Sequence, residues 1–168
     1  MADVKIKYSG WSAATITLAS LATNSTFSVG RESTMIDNTT NLYDDVLVAG
    51  KITTGTTTAT SANILVYVYG VVDTTTYPTP FTGSDAGVTL TSVAQASSFL
   101  KLGSVLTTHT SAETSVAHEF GPFSVAQLFG GIMPPKWGLF VTHNTSVNLN
   151  STGGNHFINI NGITYTVA

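Results

Sequence analysis

Ala62-Asn-Ile-Leu-Val-Tyr-Val-Tyr-Gly-Val-Val72 decides the fold class. It is apolar on both parities, rich in β-branched and aromatic residues, and bounded by the Thr-rich Thr53–Ala62 on one side and Asp73 on the other. A run of this kind reads as a central strand buried on both faces. Its uninterrupted apolar core, Ile64–Tyr69, is far short of the ~20 residues that span a bilayer as a helix.

Shorter strand signals lie on either side. Val4, Ile6 and Tyr8 alternate with Lys5 and Lys7, Ile16 and Leu18 alternate with Thr15 and Thr17, and Val46, Val48 and Ile52 share one parity. Phe99–Leu106 is a mixed strand and Gly138–Thr142 a compact apolar one. At the C-terminus, Phe157-Ile-Asn-Ile160 and Ile163-Thr-Tyr-Thr166 flank Asn161-Gly162, the preferred pair of a type I′ turn. The expectation is a two-residue hairpin with Ile158, Ile160, Ile163 and Tyr165 on one core face. Ser124-Val-Ala-Gln127 has the capping-box spacing, with Gly130-Gly131 as a stop, so one short helix is expected near residues 124–129. Thr53–Ala62 and Asp73–Gly87 read as loops. Eight or more short strands with these spacings predict an all-β, jelly-roll-like β-sandwich. Residues 1–9 are expected as an N-terminal arm or edge strand, and residues 10–168 as a single domain.

Composition supports this. Of 168 residues, 29 are Thr and 17 Ser, while Asp, Glu, Lys and Arg together make up 9% against roughly 25% in an average domain. Hydroxyls on branched side chains replace the charges that exposed helices use. The net charge is −3 with six basic residues, too few for a nucleic-acid-binding face. There is no cysteine, hence no disulfide, thiolate metal site or thiol nucleophile. Met1-Ala-Asp-Val-Lys5 contains no apolar stretch, so no secretory signal is expected. A surface with so little charge lacks the usual guard against association, which points to a protein that works in contact with neighbours.

No catalytic motif is present, and His109, His118, His143 and His156 have no metal-ligand spacing, so neither an enzyme nor a cofactor is expected. Asp37, Asn41, Asp44 and Asp45 put several oxygens in one loop, which a hard cation could use, but the spacing of a Ca²⁺ loop is missing and Asx turns account for the composition. The candidates for partner contact are the amphipathic strand Val4, Lys5, Ile6, Lys7 and Tyr8, with Trp11 after it, and the loop aromatics Tyr77 and Phe81.

Gly121-Pro-Phe-Ser-Val-Ala-Gln-Leu-Phe-Gly-Gly131, Met133-Pro-Pro-Lys-Trp-Gly-Leu-Phe-Val141, Asn144-Thr-Ser146 and Asn161-Gly-Ile-Thr-Tyr165 carry a resemblance. Together they make the stretch from about Phe120 to Ala168 similar to the C-terminal part of capsid decoration (cement) proteins of short-tailed bacteriophages. Ile64–Gly70 resembles the central strand of the same group. The resemblance implies a jelly-roll domain on the outer capsid surface of a virion. It would act as a homodimer or homotrimer that clamps neighbouring copies of the phage major capsid protein, with no nucleic acid or membrane as partner. The alternative from another class is a carbohydrate-binding jelly-roll module of a tail fibre or lectin type, using exposed aromatics in a cleft.

Overall fold

The computed structural model describes residues 3–73, 75–92, 98–109 and 111–167. Ten strands are placed: β1 (Val4–Ala13), β2 (Val29–Glu32), β3 (Ile36–Asp37), β4 (Asp45–Thr53), β5 (Asn63–Gly70), β6 (Ala86–Thr89), β7 (Lys101–Thr107), β8 (Ala117–Ser124), β9 (Lys136–His143) and β10 (Phe157–Val167). They form two antiparallel sheets, one ordered β1-β10-β4-β8 and the other β6-β2-β9-β5-β7, with β3 also paired to β9. Along the chain most strands alternate between the sheets, which is the wrapping of a jelly roll. The all-β sandwich read from the sequence is the fold observed.

The inward parity of four strands fills the sandwich. Val46, Val48 and Ile52 of β4, Ile64, Val66 and Val68 of β5, Leu139 and Val141 of β9, and Ile158 of β10 are all buried in one cluster around Trp137. At about 1.5–3 kcal/mol for each fully buried large aliphatic side chain, this cluster is the main stabilising element.

A second cluster lies on the outside of the six-stranded sheet. Tyr69 and Phe140 project outward from β5 and β9 and are covered by Phe81, Val88, Leu90 and Leu100, all from the excursion between β5 and β7. Phe81 stacks on Tyr69 at 4.2 Å and meets Phe140 edge-on at 5.5 Å. The central strand therefore is apolar on both faces because both faces are covered by this chain.

The short helix α2 (Val125–Leu128) forms as expected, with the Ser124 hydroxyl accepting from the Gln127 N–H at 3.0 Å. A further helical turn, α1 (Asn38–Asn41), sits in the segment read only as polar loop. Ile16-Thr17-Leu18 is not a strand. The Thr17 N–H and hydroxyl go to Asp85 at 3.0 and 2.6 Å, so the backbone donates to a carboxylate instead of a ladder.

The C-terminal hairpin does not form. Residues 157–167 are one uninterrupted strand, paired to β4 on one side and β1 on the other. Neither Asn161 nor Gly162 has the positive φ that a type I′ turn requires. Consequently Ile158 and Ile160 face the core, whereas Ile163 and Tyr165 fall on the opposite face, because a strand without a turn keeps its parity. Gly162 is required for a different reason: a Cβ there would lie 2.4 Å from the Tyr43 ring, which packs directly over the strand.

The Thr-rich segment 53–62 zips onto the loop before β8. Thr54 and Val116 exchange backbone and hydroxyl bonds, the Thr58 N–H donates to the Glu113 carbonyl, and the Ser115 N–H donates to the Gly55 carbonyl. Buried hydroxyls satisfy the backbone groups of two long connections that lack a sheet partner.

Candidate interaction surface

β1 is not a free arm. It is hydrogen-bonded to β10 on both sides of residue 10, so residues 4–9 belong to the same sheet as the rest of the domain; Met1 and Ala2 lie outside the described residues. β4, however, pairs with β10 only as far as Asp45↔Ile163. Beyond that row, residues 4–8 and 163–167 form a two-stranded ribbon. Two strands without a packed face are marginal in water.

The register sorts the ribbon into two faces. Val4↔Val167, Ile6↔Tyr165 and Tyr8↔Ile163 share one side, and Lys5↔Thr166 and Lys7↔Thr164 share the other. The first side is apolar and, apart from the buried Ile163 at its base, exposed: Val4 69%, Ile6 55%, Tyr8 56%, Tyr165 58% and Val167 73%. Trp11, 50% exposed, continues it. Trp11 is three residues after Tyr8 and by strict alternation would point the other way. A bulge corrects this: Ser9 and Gly10 together oppose Gly162, with Gly10 at φ +88°. The bulge is tied down by Asn161, whose Oδ1 accepts from the Gly10 N–H at 3.1 Å and the Ser9 hydroxyl at 3.4 Å, while Ser9 Oγ accepts from the Gly162 N–H at 2.9 Å.

Trp11 thereby joins the outer face of the four-stranded sheet, in line with Asn161 and Leu47; Phe157 follows two rows on, 44% exposed with the Lys51 ammonium 5.3 Å above its ring. On the six-stranded sheet the excursion covers Tyr69 and Phe140, while Leu102 and Val105 on β7 stay about half exposed. On the four-stranded sheet and the ribbon, exposed apolar residues run from Val4 and Val167 through Trp11 to Phe157, with Asn161 and Ile163 buried among them. Contiguous exposed apolar area of this kind marks an interaction surface.

The other expected contact residues lie elsewhere. Phe81 is 5% exposed and belongs to the second core, so it is an anchor of its loop and not part of a contact surface. Tyr77 is half-buried, its hydroxyl 2.9 Å from the Met35 sulfur and its ring against Gly83. Lys5 and Lys7 occupy the reverse of the ribbon. Of the aromatics a glycan platform would use, Trp137 and Tyr69 are buried with Phe81.

The oxygens of the Asp37–Asp45 segment hold local structure. Asp37 caps α1 through the Thr39 N–H and hydroxyl at 2.8 and 2.6 Å, and these bonds, with Lys136 nearby, lower its pKa. Asn41 donates to the Asp37 carbonyl at 3.3 Å, Asp44 accepts from the Tyr165 N–H at 2.8 Å, and Asp45 accepts from the Val46 and Ala126 N–H groups at 2.7 and 2.9 Å. The four residues do not converge, and no group of three His, Cys, Asp or Glu among the described residues could hold a metal ion. Asp44, Asp45, Gln127 and Tyr165 line an open cleft of about 550 Å³ at the foot of the ribbon.

One histidine meets a carboxylate. His118 Nε2 lies 2.6 Å from Glu113 Oε2, and Glu113 Oε1 accepts from the His109 N–H at 2.5 Å. Burial pushes the Glu113 carboxyl up, but the His109 N–H and His118 outweigh it and hold the pKa below its ordinary value. The pair fastens the loop before β8 to its own strand; Glu113 and His118 are absent from the lining of the ribbon-foot cleft. His143, fully buried, bonds Thr145 and the Leu21 carbonyl, and burial lowers its pKa.

No family model, no curated protein and no solved structure matches this chain.

Proposed function

We propose that this protein is a non-enzymatic structural component of a bacteriophage virion that binds the outside of the icosahedral capsid and stabilises contacts between major capsid subunits, as a homodimer or homotrimer. The observation that carries the reading is the exposed apolar surface formed by the β1–β10 ribbon together with Trp11 and Phe157 on the adjoining sheet face. Sequence resemblance supplies the identity of the partner. A small rigid sandwich that binds only the assembled shell stabilises it by mass action. Repetition over a symmetric lattice multiplies a modest interface, and low surface charge keeps the desolvation cost of that interface small.

The test uses shells of the encoding phage with and without the protein. Decorated shells are expected to withstand higher temperature and internal pressure, and removal of residues 1–9 is expected to release the protein from shells. Undecorated shells that resist heating equally well would end the proposal.

A further inference from the structure

We propose that the Ser9-Gly10 bulge makes the ribbon a docking face, with Trp11 as its anchor, and that the receiving surface on a shell subunit is apolar and uncharged. This rests on the reading of the protein as a capsid-binding component and specifies how it binds.

The first observation is the two-to-one count in the ladder. Were Ser9 and Gly10 each paired in a regular ladder, Trp11, three residues after Tyr8, would sit with Lys7 on the reverse face. With the bulge, Val4, Ile6, Tyr8 and Trp11 all point one way. The second is what Gly10 is for. A Cβ there would meet nothing within 4 Å, so space is not the reason for glycine. The left-handed φ of +88° is, and it has no use except to form the bulge. The third is the hold on it: Asn161, itself only 7% exposed, spends its side-chain oxygen on the bulge backbone.

Two modes of binding were open for this strand, addition of a partner strand to its edge or packing on its face. The bulge breaks the regular edge row, and Lys5 and Lys7 are the charges that natural edges carry against strand addition. Face packing remains. Val4, Ile6, Tyr8, Trp11, Tyr165 and Val167 are each at least half exposed. At roughly 100–150 Å² apiece they present an area close to the roughly 800 Å² that one side of a specific interface uses. None of the six carries a charge, so the complementary surface is one that gains nothing from charge.

The experiment measures co-sedimentation of the full chain with stripped shells of the encoding phage at about 50 mM and about 500 mM salt, the range over which surface charge pairs are screened. Iodide quenching of Trp11 reports docking, since Trp137 is fully buried. Wild type is expected to bind with little salt dependence and to lose Trp11 quenching on the shell. Trp11→Ala is expected to weaken binding ~30-fold, in the range of a central aromatic anchor. Gly10→Val, which keeps the chain length but disfavours the left-handed φ that the bulge needs, is expected to weaken binding at least ~5-fold while the circular dichroism and the buried Trp137 emission stay native. If that variant does not fold, Asn161→Ala, which removes the side-chain hold on the bulge, is expected to weaken binding by a similar factor with a native spectrum. Equal binding by wild type and the folded bulge variant would overturn the inference alone. So would salt-sensitive binding lost on Lys5→Ala/Lys7→Ala, since that places the contact on the reverse face. Failure of wild type to bind shells at either salt is a separate outcome and removes the capsid reading together with it.

Discussion

Glu32 offers the sharpest test of how the second core is held. It is completely buried beneath the excursion, and no cation lies within 4 Å of it among the described residues; the neighbouring Arg31 is engaged by Asp85 at 2.6 Å. Its two oxygens accept from the Tyr69 hydroxyl at 2.8 Å, the Thr82 N–H at 3.0 Å, the Thr82 hydroxyl at 2.7 Å and the Gly83 N–H at 3.0 Å. The carboxylate is what draws the Thr82-Gly83 backbone onto the sheet and lets Phe81 reach Tyr69. Burial and the Glu32 carboxylate together raise the Tyr69 pKa. In Glu32→Ala the two hydroxyls can turn to other acceptors, but the part-buried Thr82 and Gly83 N–H groups lose the carboxylate that holds them. At about 1–3 kcal/mol for each stranded donor, with some return from no longer burying an anion, the loss should be about 3–4 kcal/mol. A chain of this size shifts its melting temperature by about 2–4 °C per kcal/mol, so the midpoint should fall by about 6–16 °C. Glu32→Gln keeps one acceptor and should lose about half as much. Thermal unfolding followed by circular dichroism gives the midpoint, and amide exchange at Thr82 and Gly83 localises the effect. A Glu32→Ala midpoint within about 2 °C of wild type, with those two amides still protected, would refute the reasoning.

Other consequences follow from pH and from packing. Burial lowers the pKa of His143 and His156 below 6.5, so the folded state binds fewer protons than the unfolded one; their contribution is complete above about pH 6.5 and is lost as pH falls through the folded values. Melting temperatures should therefore be level above neutrality and begin to drop below about pH 6.5, and His143→Gln should flatten that first drop. A second decline should begin near pH 4.5. Glu113 is held low despite its burial, Asp85 is held low by Arg31 and Thr17 against its own burial, and the Thr75 and Thr76 N–H groups bring Asp73 down to about 2. Each stabilises above its unfolded pKa and stops doing so as pH falls through the folded one. Gly162→Val raises β-propensity but drives a side chain into the Tyr43 ring, so it should destabilise by about 1–3 kcal/mol in a melt. Combining it with Tyr43→Ala should remove most of that clash, and an additive double variant would show that the ring is not the obstacle.

Much of the architecture was legible because it rests on local pattern. Inward parity on Val46, Val48 and Ile52, the two-sided apolar run Ile64–Tyr69, and the Ser124 cap are properties of neighbouring residues, and physical chemistry reads them without knowing what they pack against. Of the candidate surface, Val4, Ile6, Tyr8 and Trp11 were legible as an exposed amphipathic strand. Tyr165 and Val167 were not, since the turn that Asn161-Gly162 favours places Tyr165 on the core face. Phe81 was misplaced for a related reason: an aromatic in a Pro- and Gly-rich loop looks the same in sequence whether the loop stands free or folds over a sheet.

What sequence alone determined is composition and period: branched hydroxyl-bearing residues in place of charge, alternation in place of helical spacing, and hence a layered β domain with little electrostatic guard. What tertiary structure alone decided is how Asn161-Gly162 is used. In isolation the pair favours a turn by a local backbone preference. Within the sandwich, pairing of β10 with β1 and β4 together buries Ile158 and Ile160 and satisfies two ladders, which outweighs that preference. The same two residues then serve a bulge and a ring contact supplied by segments more than a hundred residues away in sequence, and no window along the chain contains that information.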